Sequence, residues 1–352
     1  MAIEKSKLRL DGRHNLEKVL PLAAPYSIYL DPASACNFKC SFCPTGHQEL
    51  VTGFYKRSIM SFSMFENIIS QIGMFPCPLK VLRMNKIGEP TLNSCLPEMI
   101  GLARASERIE WIDFATNGSR FSGDNIERFL RSGANRINIS LEGLNTEAYL
   151  KNAKIRLDFD SFVQNLRDLH SEREKMRSSL KIVPEILIKI PQQLLDSADQ
   201  ETEFKSIFNP IADIIFVESL ADIWPDFDVN SRSGKSKLGN IGQYKQPVED
   251  RKVCSVITYS MVVNSDGTVS ACCSDWSQSL LIGDTKETPL NKIWHSNAHL
   301  RLIKQHLCGK KEEMPTCSSC GHVREAQVDD IDPVADQISG AFEKTFPTYH
   351  SI

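Results

Sequence analysis

Ala33–Gly46 reads ASACNFKCSFCPTG, and its three cysteines, Cys36, Cys40 and Cys43, follow the spacing C-x3-C-x2-C. Three thiolates in one short loop can each bind an iron of a cubane [4Fe–4S] cluster. The fourth iron then has no protein ligand and stays open to a small molecule. The competing readings are a zinc site and a disulfide. Zinc ligands usually come as two C-x2-C pairs or as Cys/His mixtures, and this loop supplies an odd three.

Composition narrows the setting. The chain has 352 residues, 41% of them hydrophobic and 24% charged, which is an ordinary globular balance. A net charge of −3 gives no basic excess for a nucleic-acid surface. The N-terminal run MAIEKSKLRLDGRHNLEKVL lacks the apolar core of a signal peptide, and no stretch is long and apolar enough to span a bilayer. Eleven cysteines without an export signal point to metal ligands rather than disulfides. The expectation is a cytoplasmic protein whose partners include no nucleic acid and no membrane.

A strand-then-helix rhythm surrounds the loop. Short runs rich in Ile, Val and Leu predict buried parallel strands at Ser27–Leu30, Leu79–Met84, Trp111–Ala115, Arg136–Leu141, Ile186–Ile190 and Ile214–Glu218. Helices are predicted between them at Ser63–Gly73, Leu96–Arg108, Ser122–Arg131 and Asp160–Arg177. The last carries Phe162, Leu166 and Leu169 on one face. Six such units predict an α/β fold, a partial (β/α)6 TIM-like barrel over 26–220. No G-x-G-x-x-G follows the first strand, which weakens a dinucleotide-binding alternative. Residues 1–25 read as an N-terminal extension. Residues 221–252, polar and rich in Gly, Ser and Pro, read as a linker or lid.

A small cysteine-rich α+β domain is expected at 253–325, with a tail at 326–352. Within it, YSMVVNSDGTVSACC (259–273) predicts a hairpin turning at Asp266-Gly267. TPLNKIWHSNAHLRLIKQHLCG (288–309) predicts one helix, capped at Thr288 and stopped at Gly309. Cys254, Cys272, Cys317 and Cys320 can supply four thiolates, to an iron–sulfur cluster or to tetrahedral zinc. Cys77 and Cys95 read as buried apolar side chains. His295 and His299 have metal-compatible i,i+4 spacing but no third ligand nearby, so they read as surface. His322 reads as structural, and Cys308 as packing or an alternative ligand.

The cluster loop, with Phe42 just before its third cysteine, resembles that of the radical S-adenosylmethionine (radical SAM) superfamily. Three turns at the carboxyl ends of successive predicted strands strengthen the likeness: GEP (Gly88, Glu89, Pro90), TNG (116–118) and ISLEG (139–143). Each alone is an ordinary turn; their order behind the cysteines is what resembles the family's SAM-binding set. The resemblance implies that the open iron chelates SAM and that one electron splits it into methionine and a 5′-deoxyadenosyl radical. It implies further that Gly88 and Glu89 serve the SAM ammonium, Thr116 and Ser140 the carboxylate or ribose, and Glu142 the ribose hydroxyls. Phe42 packs on the adenine or shields the cluster, and Arg156 either pairs with the carboxylate or is a surface charge. The spacing Cys254-x12-Gly267-x4-Cys272 resembles the opening of SPASM and twitch domains. With no cysteine after Cys320, the likeness is to the twitch type, with one auxiliary [4Fe–4S] cluster.

The fate of a substrate radical then depends on what stands beside Cys272. Asp275 reads either as a general base, which would favour alcohol oxidation, or as an exposed turn residue; Cys273 as a thiol hydrogen donor would favour epimerisation. With 35 residues before Cys36, too few for a peptide-binding domain, the expected substrate is a small sugar, aminocyclitol or polyol. The expected electron donor is a flavodoxin or ferredoxin. The alternatives are a peptide-modifying (RiPP) SPASM maturase and a non-catalytic iron–sulfur or zinc-binding electron-transfer or adaptor protein.

Overall fold

Ten strands form one continuous sheet in a computed structural model that describes residues 3–4, 14–50, 57–235 and 239–352. In chain order they are β1 (Ile3–Glu4), β2 (Ser27–Leu30), β3 (Leu79–Arg83), β4 (Ile109–Thr116), β5 (Arg136–Ser140), β6 (Glu185–Pro191), β7 (Ile214–Glu218), β8 (Ser260–Val263), β9 (Thr268–Ser270) and β10 (Leu281–Asp284). Strands β2 to β7 are neighbours in sequence order and all parallel, with helices in the crossovers. This is the partial barrel of six β/α units. Its edges are extended by β1, parallel to β7, and by β8, parallel to β2.

The strands form because both faces are covered. Ile28, Leu82, Ile112, Phe114, Ile137, Ile139, Ile188 and Ile190 are almost fully excluded from water. The crossover helix Phe62–Ile72 is capped by Ser61 and buries Phe65, Ile68, Ile69 and Ile72. Phe159–Met176 buries Phe162, Leu166 and Leu169 after an Asp158 cap. Each such side chain contributes about 1.5–3 kcal/mol.

The hairpin expected around Asp266-Gly267 is β8 and β9, antiparallel, with Gly267 at φ 89°. Its attachment to β2, through Ser27 opposite Ser260, places its far end beside the cluster loop. The N-terminal extension and the linker lie partly outside the described residues.

Several local expectations need correction. The single helix over 288–309 is two helices, Leu290–Trp294 and Asn297–Leu307. The break falls where Ser296 caps the second helix by accepting the His299 amide, a role short polar side chains favour over helix interiors. His299 is not on the surface. It is fully buried, its ring nitrogens 2.8 and 2.9 Å from the carbonyls of Trp294 and Ile257. Cys77 is exposed on a turn between Pro76 and Pro78, and Cys95 is only half-buried. Strand β4 begins two residues earlier than expected, and the helix at Leu96 ends at Ala105. No helix among the described residues is long and apolar enough to cross a membrane.

Candidate functional site

The cluster loop leaves the carboxyl end of β2, where active sites of β/α barrels gather. Its backbone is anchored from several sides. The Lys39 and Ser41 amides donate to the Ala153 and Asn152 carbonyls (2.8 and 3.0 Å), consuming acceptors left open at the end of the helix Thr146–Ala153. Phe38 is buried edge-on against Tyr149. Gly88 lies so close under the loop that a Cβ there would stand 1.9 Å from the Ala33 carbonyl. The GEP turn therefore requires glycine, and the Glu89 amide donates to the Ala35 carbonyl at 2.8 Å.

Glu89 is a knot. Its carboxylate is buried and accepts four hydrogen bonds: from the Thr91 amide and hydroxyl, from the Thr116 hydroxyl (2.6 Å) and from the Asn117 amide (2.7 Å). Burial pushes this carboxyl upward, and the four donors oppose the shift. Asn117 donates to Asn37, and Asn37 donates to Ser119, which ties the TNG turn to the cluster loop. Asn152 donates to the Glu142 carbonyl, tying in ISLEG. The structure thus brings Gly88, Glu89, Thr116 and Glu142 to one mouth with Cys36, Cys40 and Cys43. Ser140 is half-exposed at the end of β5, Phe42 is half-buried against the core, and Arg156 is exposed.

The three loop thiols are held protonated by burial, Cys36 pushed up to about 12 and Cys40 and Cys43 also raised. They repel one another as thiolates, so bound metal is what would stabilise the charged form. The second set behaves alike. Cys254, Cys272, Cys317 and Cys320 line one cavity with Pro225, Lys311 and His322. Burial pushes Cys254 and Cys317 up to about 12 and Cys320 to about 11. Among the described residues, no three His, Cys, Asp or Glu side chains converge as ligands of a single ion do. Both thiol sets fit a cubane better, since each thiolate there grips a different iron. His322 lines the second cavity and meets Ser274 at 2.9 Å; burial pushes its ring down to about 4, so it stays neutral. Cys308 is exposed and is not part of that lining.

Between the sets lies a polar barrel interior. Cys272 turns to the cavity, whereas Cys273 lies by Tyr29 and senses the charge of Arg83 and Lys86. The neighbouring Cys272 thiol, with Tyr29, draws the Cys273 thiol downward against the opposing effect of burial. Arg83 pairs with Asp113 at 3.1 Å and lies over the Tyr29 ring. Lys189 pairs with Glu218, and Tyr244 feels Glu218, Arg83, Lys189 and Cys273 together.

Sequence reasoning missed Tyr29, Arg83, Lys189, Glu218 and Tyr244. The available signal was a charge inside or ending an apolar strand, as in LKVLR, EILIKIP and IIFVE. Asp31, just after β2, was also missed. Its two carboxylate oxygens have no hydrogen-bond partner among the described residues, and burial pushes it up to about 7 against the pull of Lys86.

Asp275 is neither an exposed turn residue nor a free base. It is fully buried, and its oxygens accept the Ser279 and Leu280 amides at 2.8 and 2.9 Å. These bonds fix the loop that carries Cys272 and Cys273.

A family model described as "Radical SAM superfamily" matches residues 31–181, and one described as "Iron-sulfur cluster-binding domain" (SPASM) matches 254–321. A GTP 3′,8-cyclase of Mannheimia succiniciproducens is 30% identical over 125 residues, 35% of either chain. The tungsten-containing aldehyde ferredoxin oxidoreductase cofactor-modifying protein of Pyrococcus furiosus is 26% identical over 119 residues, 34% of this chain and 31% of that protein. The chain thus spans about a third of the length of these curated relatives. Among solved structures, BtrN in complex with AdoMet and 2-DOIA aligns with TM-score 0.52 at 17% identity, covering 84% of this chain and 92% of that one. Streptococcus suis SuiB bound to precursor peptide SuiA aligns with TM-score 0.60 at 13% identity, covering 88% and 72%. These likenesses establish the fold. The matched domains imply a [4Fe–4S] cluster with SAM, and further iron–sulfur ligation in the SPASM part. On its cluster loop, its barrel and both matches, the chain carries a radical SAM domain over residues 31–181 and a SPASM iron–sulfur domain over 254–321.

Proposed function

We propose that this enzyme abstracts a hydrogen atom from a small polar substrate, a sugar, aminocyclitol or polyol, and completes an alcohol oxidation or an epimerisation. The observation that carries the reading is the polar barrel interior, in which Cys273, Tyr29, Arg83, Lys189, Glu218 and Tyr244 lie near enough to act on one another's charge. Such a lining offers many hydrogen-bond partners and suits a hydroxyl-rich molecule. When bound, the first cluster supplies the electron that splits SAM into methionine and the 5′-deoxyadenosyl radical, and the second can receive the electron a substrate radical gives up.

The chain's own residues would act as follows. Cys36, Cys40 and Cys43 would hold the first cluster, and Cys254, Cys272, Cys317 and Cys320 the second. Gly88 and the Glu89 knot shape the SAM mouth, with Thr116, Ser140, Glu142 and Phe42 around it. Arg156 is exposed, which favours the surface-charge reading over a pairing with the SAM carboxylate. In epimerisation, Cys273 would give its thiol hydrogen atom to the substrate carbon radical; an electron from a flavodoxin or ferredoxin and a solvent proton would restore the thiol. In oxidation, the substrate hydroxyl proton would pass to solvent water and the radical's remaining electron to a cluster that Cys254, Cys272, Cys317 and Cys320 would hold. The setting proposed is the cytoplasm.

Peptide modification is a second reading, favoured by the fold shared with SuiB, whose structure holds a precursor peptide. The test runs the reconstituted enzyme with SAM, a reductant and a candidate polyol in deuterated water. Deuterium at one carbon marks epimerisation, and loss of two hydrogens marks oxidation. If 5′-deoxyadenosine forms only when a peptide is supplied, the small-substrate reading fails.

A further inference from the structure

Charged side chains meet in the barrel interior, most of them in pairs. Arg83 is matched by Asp113, and Lys189 by Glu218. Glu142, on the loop after β5, is a third carboxylate in the same space, which it shares with Lys189 and Glu218. Two carboxylate oxygens here, Glu142 Oε2 and Glu218 Oε2, are buried and accept no hydrogen bond among the described residues. An acceptor left unmade in the interior costs about 1–3 kcal/mol, and more when charged. Native proteins tolerate such atoms mainly where something else comes to satisfy them.

The two orphaned oxygens belong to different parts of the sheet, Glu142 to the loop after β5 and Glu218 to the end of β7. Glu142 lies by the Cys40 side chain and so borders the cluster loop. Glu218 lies two strands further on. Lys189 grips one of its oxygens, and Tyr244 lies within its field. Lys189 fixes the direction in which the second oxygen points. A buried carboxylate oxygen left open in this way favours a cationic donor over a neutral hydroxyl.

Resting on the small-substrate reading above, we propose that Glu218, positioned by Lys189, anchors a protonated amine of the substrate. The substrate class is then an aminocyclitol or amino sugar rather than an uncharged polyol.

The test uses anaerobically reconstituted holoenzyme with SAM and dithionite, and two matched probe sets. One set is glucosamine, glucose and N-acetylglucosamine. The other is scyllo-inosamine, scyllo-inositol and N-acetyl-scyllo-inosamine. The readout is 5′-deoxyadenosine formed above the probe-free rate. In at least one set the amine is expected to outrun both its hydroxyl and its acetylated twin by about tenfold or more, as one buried charge contact would give. In Glu218→Gln the same ratio is expected to fall close to one. The proposal is overturned if no amine outruns its twins in the wild type, or if Glu218→Gln folds and keeps the wild-type preference. The twin comparison needs no variant and stands even if Glu218→Gln does not fold. If wild-type holoenzyme forms no 5′-deoxyadenosine even without a probe, the underlying SAM-cleaving reading falls as well.

Discussion

The two thiol sites are assembled by opposite strategies. The first takes its three cysteines from eight consecutive residues, 36–43, and relies on neighbours only to hold the loop's shape. The second gathers Cys254, Cys272, Cys317 and Cys320 from the start of a hairpin, its end, and a short helix beyond two others. A contiguous loop leaves one iron without a ligand because three cysteines are all it offers. A dispersed site can supply four ligands but exists only once the surrounding fold does. On the proposed ligand sets, the difference would separate a site open for chemistry from one closed for electron storage.

The largest expected effect tests that separation directly. Replacing Cys36, Cys40 and Cys43 by Ala should abolish 5′-deoxyadenosine formation and leave about four irons per chain. Replacing Cys317 and Cys320 should remove iron from the other site while SAM cleavage persists. An iron count unchanged in the first variant, or SAM cleavage lost in the second, would break the comparison.

The next effect concerns the ground between the sites. Asp31 sits at the end of β2 with two unpartnered oxygens, and burial raises it from an ordinary 3.8 to about 7. Its folded form therefore keeps a proton that the unfolded chain loses near pH 4. Stability attached to that proton is fully present below pH 4, is lost as pH rises to about 7, and changes no further above that. The span of about three pH units corresponds to roughly 4 kcal/mol. Asp31→Asn should remove this slope, so that the variant outlasts the wild type in urea at pH 8 and matches it at pH 4. Parallel curves would mean that Lys86 neutralises the site in full.

A smaller loss is expected at the knot that braces the local site. Glu89→Gln keeps the shape but turns one acceptor into a donor facing the Asn117 amide or the Thr91 and Thr116 donors. The cost should be about 2 kcal/mol, read as a lower urea midpoint at unchanged slope. The second thiol set should be untouched. If its iron is lost too, the two sites are not independent.

The same contrast explains what the sequence discloses. Cys36, Cys40 and Cys43, the GEP, TNG and ISLEG turns and the six strands are legible because each is local: spacing, a turn residue or a short apolar run states it. The purpose of Gly88 is not legible, since the Ala33 carbonyl that forbids a side chain there comes from another strand's loop. Lys189 and Glu218 look like surface charges at strand ends until β5, β6 and β7 are laid side by side. Cys272 and Cys273 are identical neighbours in sequence. Only the pairing of β8 with β2 sends one toward the cavity and the other toward Tyr29. His299 reads as surface because helical spacing does not say which face is covered.

The smallest expected effect bears on the residue that joins both regions. Asp275 accepts one amide on each oxygen, from Ser279 and Leu280, in the loop that presents Cys272 to one site and Cys273 to the other. Asparagine keeps one acceptor and sets an amine against the other donor, so Asp275→Asn should lose about 1 kcal/mol in urea unfolding. The loop should loosen, and with it the aim of Cys273. A positioning residue then lowers product formation while SAM cleavage continues, because the radical is still made and is quenched less selectively. Asp275→Glu provides the discriminating arm: a general base one methylene longer still takes a proton, whereas a loop clamp one methylene longer cannot close. Product formation rescued by Glu would restore the base reading for Asp275. Failure of Glu alongside Asn, with the wild-type pH profile retained in the residual activity, would assign it to the geometry of the dispersed site.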